Sequence, residues 1–441
     1  MIESLLIANR GEIAVRVIRA CREMGIRSVI AYSLADRDSL PVRMADERVC
    51  VGPPPARDSY LNVRNLVTAA VLSRCDALHP GVGFLAENAS FAREVKDAGL
   101  IFIGPDPEVI ELLGDKIRAK HSAREQGIPV IPGSEGSVSN AGEALASAKK
   151  LGFPVIVKAA AGGGGKGMRI VRTGDELAAV LSLASHEAEK AFSDGTVYLE
   201  RYLENPRHVE IQIIADRKGN VVHLGERDCT VQQNHQKLIE ESPSPAVSSD
   251  LRGRMGEDAV RLLRSLGYSG AGTVEFLVKD GKHYFMEVNA RVQVEHPVSE
   301  MVTGVDIIRQ QILSASDEAL EFRQQDVRLG AYAVECRINA RSAGRITRFL
   351  VPGGFGVRMD TFLYTGYSVP PWYDHLLGKL IVSARTRPEG LRRMESALAE
   401  LVIEGIATNI ETQRKIVAHP TFRKGDYGTE FIGEMLKEGD L

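Results

Sequence analysis

The stretch Glu287-Val288-Asn289-Ala290-Arg291-Val292-Gln293-Val294-Glu295 alternates polar with small apolar side chains, and this period of two constrains the fold more than any other feature of the chain. Successive side chains of a strand point to opposite faces. Glu287, Asn289, Arg291, Gln293 and Glu295 therefore share one face, with Val288, Ala290, Val292 and Val294 packed behind. A merely solvated face has no need to mix carboxylates, amides and a guanidinium, so the stretch reads as a site. At about 3.3 Å per residue a straight strand would hold Glu287 and Glu295 roughly 26 Å apart, too far for one small substrate. A bend is expected near Arg291.

Gly270 to Phe276 and His283 to Asn289 flank the turn Asp280-Gly281 and pair as a hairpin, which brings Glu275 near Glu287 and Asn289. Magnesium favours octahedral oxygen coordination by one or two carboxylates plus phosphate oxygens, and these three residues supply such a set for Mg2+ or Mn2+. Upstream, Gly162 to Gly165 follow a strand ending near Lys158, and four successive glycines belong in a loop. Their backbone N–H groups can converge on phosphate. Since G-x-x-x-x-G-K-[ST] is absent, the loop reads as a phosphate-covering lid and not a P-loop. Val197 to Leu203 reads as a strand entering a connector suited to an adenine edge, and His208 to Gln212 as a further strand.

The N-terminal third alternates strands (Leu5 to Ala8, Ser28 to Ser33, Arg48 to Val51, Ala77-Leu78) with helices (Ile13 to Glu23, Val63 to Leu72). This order predicts an open, mostly parallel, doubly wound sheet up to about Pro105, without a dinucleotide G-x-G-x-x-G. Residues 1–114 are expected to form that domain, 115–328 a second with a mobile lid lobe at about 132–203, and 329–441 a third, α/β and α+β in class. With 55 basic and 58 acidic residues and no long run of one sign, neither a nucleic-acid track nor a membrane patch is indicated. No apolar stretch approaches the roughly 18 residues of a membrane span, and no secretory signal opens the chain, so a cytoplasmic protein is expected. Five scattered cysteines without C-x-x-C spacing fit reduced, packing thiols.

An ordered set of motifs runs along nearly the whole chain: Ile7 to Ala14, His79-Pro80-Gly81, Gly83-Phe84-Leu85, Glu87-Asn88, Phe102 to Pro105, Gly114-Asp115-Lys116, the glycine loop, Glu204 to Glu210, Glu226 to Cys229, His235-Gln236-Lys237, Val292 to Pro297 and Glu335 to Ala340. In these motifs the chain resembles biotin carboxylase, the ATP-grasp subunit of acetyl-CoA carboxylase and related biotin-dependent carboxylases. The resemblance implies phosphate-binding Lys116 and Lys158 beneath Gly164 and Gly165. It implies an adenosine pocket of Glu200, Arg201, Tyr202, Leu203, His208 and His235, and metal ligands Glu275, Glu287 and Asn289. Lys237, Arg291, Gln293 and the Val294 backbone would cradle bicarbonate, Glu295 would deprotonate it, and Arg337 would steady the ureido oxygen of biotin. ATP, Mg2+ or Mn2+, bicarbonate and carrier-borne biotin are thereby implied. So are a biotin carboxyl carrier protein and a carboxyltransferase in trans, a homodimer, and a place in malonyl-CoA and fatty acid biosynthesis.

Three places depart from that pattern: Val82 where tyrosine is usual, Gln233-Asn234 where a basic pair is usual, and a segment from Asn339 to Ile346 several residues short. These changes lie where the acceptor or its carrier would dock. They leave open N-carboxylation of another small amide or amine. A noncatalytic regulatory paralogue is a third reading, opposed by the intact Glu275, Glu287, Arg291, Glu295 and Lys237.

Overall fold

The computed structural model describes residues 2–138, 140–160, 168–192 and 194–441. Five parallel strands open the chain, Ser4–Ile7, Arg27–Ser33, Glu47–Gly52, Ala77–His79 and Ile101–Phe102, and they lie in the spatial order third, second, first, fourth, fifth. Alternation along the first strand sends Leu6 into one apolar cluster and Leu5 and Ile7 into another, so both faces of the sheet are covered. The helix Gly11–Met24 supplies much of the second cover through Ile13, Val17 and Ile18, and it stops at Gly25, whose φ of 71° closes a left-handed cap. Asn62 and Asn88 begin the helices Val63–Leu72 and Ala89–Asp97 by accepting the Asn65 and Phe91 amides. The order reverses between the strands that end at Ile7 and His79, which opens a crevice at their carboxyl ends.

An eight-stranded antiparallel sheet forms the rest of the frame. From one edge its strands are Lys282–Asn289, Gly270–Lys279, Arg207–Ala215, Val221–Gln233, Gln236–Ser242, Tyr332–Asn339, Leu376–Ala384 and Val357–Thr361. It runs unbroken through the expected boundary near residue 328, because Gln236–Ser242 pairs with Tyr332–Asn339. Val209, Ile211, Val274 and Phe276 join the same core as Leu6 and Val29, so the two sheets share apolar packing. Each such side chain, once buried, stabilises by about 1.5–3 kcal/mol. A separate three-stranded sheet, Arg169–Val171, Val155–Ala159 and Val197–Arg201, packs under the helices Ala141–Leu151 and Leu177–Phe192 with its own small core. Among the described residues no helix is long and apolar enough to cross a membrane.

The alternating stretch is only partly a strand. Regular pairing ends at Asn289, and residues 290–295 turn away before the helix His296–Thr303. The bend thus falls where the reach argument requires it.

Candidate active site

Strand register builds a row of charge across four neighbouring strands: Arg227 stands opposite Glu210, Glu210 opposite Glu275, and Glu275 opposite Glu287. Three carboxylates side by side repel one another, so the row exists only because cations are packed into it. Arg227, fully buried, donates to Glu210 Oε1 at 2.7 Å and to Gln212 Oε1 at 2.6 Å. Lys237 Nζ sits among Glu210 Oε2 at 2.6 Å, Glu275 Oε1 at 3.1 Å and Glu295 Oε1 at 2.6 Å. His208 Nε2 lies 2.8 Å from Glu275 Oε2, and Lys116 Nζ 2.8 Å from Glu287 Oε2.

The turn after Asn289 carries the row round to Glu295, which has no exposed surface and immediately precedes the His296–Thr303 helix without a side-chain capping bond. Its carboxylate is held by Lys237 and by Arg337 Nη2 at 2.8 Å. Burial alone would raise the Glu295 pKa, but Lys237, Arg337 and Arg227 outweigh it and keep the group well below the usual carboxylate range. Lys237 is pushed down by burial and more strongly up by Cys229, Glu210, Glu275 and Glu295, so it stays charged. Arg337 Nε donates to Glu240 Oε1 at 2.6 Å. Its backbone carbonyl accepts from Asn409 Nδ2 at 3.0 Å and Gln413 Nε2 at 2.8 Å, which fixes the strand that presents it. Glu240 is lifted to about 7, burial exceeding the opposing pull of Arg337.

Arg291 lies beside this group. Its Nη1 donates to Gln293 Oε1 at 3.0 Å and Nη2 to Asn289 Oδ1 at 3.1 Å. The Val294 carbonyl accepts from the buried Lys379 at 2.7 Å. Lys237, Arg291, Gln293, Val294, Glu295 and Arg337, spread over 101 positions of sequence, are thus brought into one linked cluster.

At the other end of the row, Lys158 Nζ lies 2.7 Å from Glu200 Oε2. Glu200 is itself buried and also meets Lys120, whose ammonium stands 5.1 Å from the centre of the Tyr198 ring. Lys120 was not singled out from sequence. The available signal was its i+4 spacing from Lys116 along the helix Lys116–Glu125. The Arg201 side chain points to the Leu151 carbonyl at 2.9 Å and the Tyr202 hydroxyl to Glu430 at 3.3 Å. The backbone amides of Arg201 and Tyr202 donate to Pro132 O at 2.8 Å and Pro154 O at 3.0 Å, which fixes the connector leading to Leu203. His235 stands exposed in the hairpin turn with φ of 62°, its pKa lowered by partial burial and then by Lys158. Gly164 and Gly165 lie outside the described residues.

The oxygen-rich set Glu275, Glu287 and Asn289 suits a hard divalent ion. The amide of Asn289 qualifies this, since its Nδ2 donates to Glu275 Oε1 at 2.8 Å while its Oδ1 accepts from Arg291. The tighter groupings His208–Glu210–Glu275 and Glu210–Cys229–Glu295 each enclose donors within 4.8 Å, but Lys237 already neutralises their carboxylates. Val82 packs its side chain, partly buried, against the cluster containing Ile7 and Val292. The short segment after Asn339 is pinned by Ala340 N to His375 O at 2.8 Å and Arg341 N to Ala407 O at 2.7 Å.

A parallel N-terminal sheet, a large antiparallel sheet bearing a carboxylate row, and a small lid sheet whose strands carry lysine and glutamate toward that row are the makings of an ATP-grasp ligase. Residues 115–323 match the family described as carbamoyl-phosphate synthase L chain, ATP binding domain; residues 1–110 match the biotin carboxylase N-terminal domain and 333–434 the biotin carboxylase C-terminal domain. The chain is 51% identical to Biotin carboxylase 1 of Bacillus subtilis, covering 98% of each. It is similar, with a TM-score of 0.97 and 45% identity over 98% of this chain and 99% of the other, to a biotin carboxylase of Campylobacter jejuni solved with a β,γ-ATP ligand. The biotin carboxylase domain dimer of a Hydrogenobacter thermophilus 2-oxoglutarate carboxylase, solved with MgADP, ADP and bicarbonate, aligns with a TM-score of 0.95 and 45% identity over 99% and 98% of the two chains. The chain belongs to the biotin carboxylase family.

Proposed function

We propose that this protein uses ATP and bicarbonate to carboxylate biotin borne on a separate carrier protein, by way of carboxyphosphate. The observation that carries the reading is the Lys237–Glu295–Arg337 arrangement with Arg291 beside it: a buried base flanked by cations that can pass to an arriving anion. While Lys237, Arg337 and Arg227 hold its charge, Glu295 is a weak base. Bicarbonate bound to Arg291, Gln293 and the Val294 backbone draws Lys237 toward itself, and Glu295 then gains the proton affinity to take the bicarbonate proton. The oxyanion so formed attacks the γ-phosphorus and displaces ADP as the bond to the β,γ-bridging oxygen breaks, while Lys116 and Lys158 neutralise charge. A divalent ion held by Glu275, Glu287 and Asn289 would supply further charge neutralisation on the phosphates.

Carboxyphosphate hydrolyses readily, so the lid lobe has water to exclude. Its breakdown gives carbon dioxide and phosphate; phosphate deprotonates the ureido nitrogen and Arg337 stabilises the resulting negative oxygen. Family membership over all three regions, including the C-terminal one that carries Arg337, favours biotin over another amide or amine, and the intact base and cradle disfavour a noncatalytic role. A biotin carboxyl carrier protein and a carboxyltransferase complete the acyl-CoA carboxylation, with acetyl-CoA and fatty acid synthesis the leading assignment and the cytoplasm the compartment. A homodimer fits the apolar segment around Phe355, which is 92% exposed, with Leu350 and Val351 about half exposed. The test is bicarbonate-dependent ADP release with and without free biotin or a biotinylated carrier. Stimulation by another small amide or amine and by neither form of biotin would replace the acceptor.

A further inference from the structure

The guanidinium of Arg291 is oriented by four acceptors. Three of them, Val292 O at 3.2 Å, Gln293 Oε1 at 3.0 Å and Asn289 Oδ1 at 3.1 Å, belong to residues within two positions of it. Val292 and Gln293 travel with Arg291 in the turn, whereas Asn289 ends the paired strand and its Nδ2 is bound to Glu275, so it ties the guanidinium to the sheet from one side only. The fourth is Glu87 Oε2, which accepts from Nε at 2.8 Å and lies 204 positions away in the chain. The other oxygen of the same carboxylate accepts the Ala290 amide at 2.9 Å. One side chain therefore holds both the backbone entering Arg291 and its guanidinium. Among the described residues it is the only hydrogen-bond partner of that guanidinium from beyond residues 289–293.

Glu87 is itself firmly placed. It follows the strand Ala77–His79 at the crevice where the parallel sheet reverses its order, a position where doubly wound folds commonly bind ligands. Here the crevice is closed by Asn9, 2% exposed, whose Nδ2 donates to Pro80 O at 2.7 Å and to Val82 O at 2.8 Å while its Oδ1 accepts from Arg10 N at 2.8 Å. Gly81 has a φ of 66°, and a Cβ there would come within 2.7 Å of Asn9, so no larger residue fits beneath the staple. Phe84 keeps a φ of 41° and stacks on Tyr60 at 5.1 Å. Asn88, immediately after Glu87, caps the Ala89–Asp97 helix. A loop fixed at its start by a buried amide, in its middle by a ring and at its end by a helix makes a rigid strap.

We propose that Glu87 is the positioning residue of Arg291, and that the strap Pro80–Glu87, stapled by Asn9, aims the guanidinium at bicarbonate. The inference rests on the proposed role of Arg291. Glu87 is 37% exposed and its ion pair adds little to stability, so its loss reads out in geometry and not in folding. The test uses the full chain and steady-state kinetics with bicarbonate and ATP varied separately, alongside the thermal midpoint. Glu87→Ala is expected to raise the bicarbonate KM by about tenfold or more, while the ATP KM stays within about twofold and the midpoint is unchanged. Glu87→Gln, which keeps one acceptor, falls between. Asn9→Asp, which loses both donor hydrogens, shifts the bicarbonate KM in the same direction. If Arg291→Ala loses bicarbonate dependence but Glu87→Ala does not, the strap inference is overturned and the function stands. Proportional rises in both KM values for Glu87→Ala also overturn it, as a general structural effect. If Arg291→Ala leaves bicarbonate dependence intact, the underlying assignment fails first.

Discussion

At the scale of single residues, the site works by sharing too few cations among too many carboxylates. Lys237 is shared among Glu210, Glu275 and Glu295, each of which has a further ion-pair partner, Arg227, His208 and Arg337 respectively, so removing the lysine leaves three buried carboxylates under-compensated. Arg291→Ala and Glu295→Ala are each expected to lower bicarbonate-dependent turnover by on the order of a hundredfold or more while nucleotide binding, followed by ADP titration, persists. Near-normal turnover in both would remove their assigned roles. Glu275→Gln together with Glu287→Gln should abolish productive Mg-ATP use without unfolding, checked by circular dichroism; activity surviving at ordinary magnesium would place the metal elsewhere. These residues were legible in sequence because chemistry and spacing coincide in them. Glu87 and Lys120 were not, since each is an ordinary helix or loop charge until its partner comes from a distant element.

At the scale of elements, the ends of the first and fourth strands carry a pH dependence. His79, fully buried, accepts the Gly81 amide on Nδ1 at 3.0 Å, and burial followed by the Arg16 charge lowers its pKa to about 4. Because the folded value lies below the unfolded value of about 6.5, the unfolded chain binds the extra proton. This stability is present above pH 6.5 and is lost as pH falls toward 4, amounting to about 2 kcal/mol by pH 5. Urea midpoints should therefore fall more steeply between pH 7 and 5 for the native chain than for His79→Asn; parallel slopes would show that His79 is not the titrating group. The helix Val63–Leu72 and the hairpin around Asp280-Gly281 were readable from strand–helix alternation and turn chemistry. The end of the alternating strand at Asn289 was not readable to the residue, because the period of two continues through Val294 after pairing has stopped.

At the scale of the molecule, surfaces decide the partners. Phe355 stands 92% exposed on a segment with Leu350 and Val351, and for the homodimer proposed above Phe355→Glu is expected to shift sedimentation toward monomer at micromolar concentration. An unchanged sedimentation coefficient would move the interface elsewhere. The pinned, short segment after Asn339 offers little enclosing surface, so free biotin should bind weakly and depend on delivery by its carrier. Turnover stimulated by biotinylated carrier is expected to exceed that with free biotin by a wide margin, and equal stimulation would count against this reading.

The order of strands and helices, the hairpin with its facing glutamates, and the need for a bend near Arg291 follow from local rules of period, turn chemistry and reach. They are set by residues that are neighbours in the chain, and the sequence alone determined them. The single sheet running from Lys282–Asn289 to Val357–Thr361, the neutralisation of Glu295 by Lys237 and Arg337, and the grip of Glu87 on Arg291 join residues separated by tens to hundreds of positions. Only the tertiary structure decided these, because strand register and the balance of buried charge depend on which segments come together, and no periodicity along the chain encodes that.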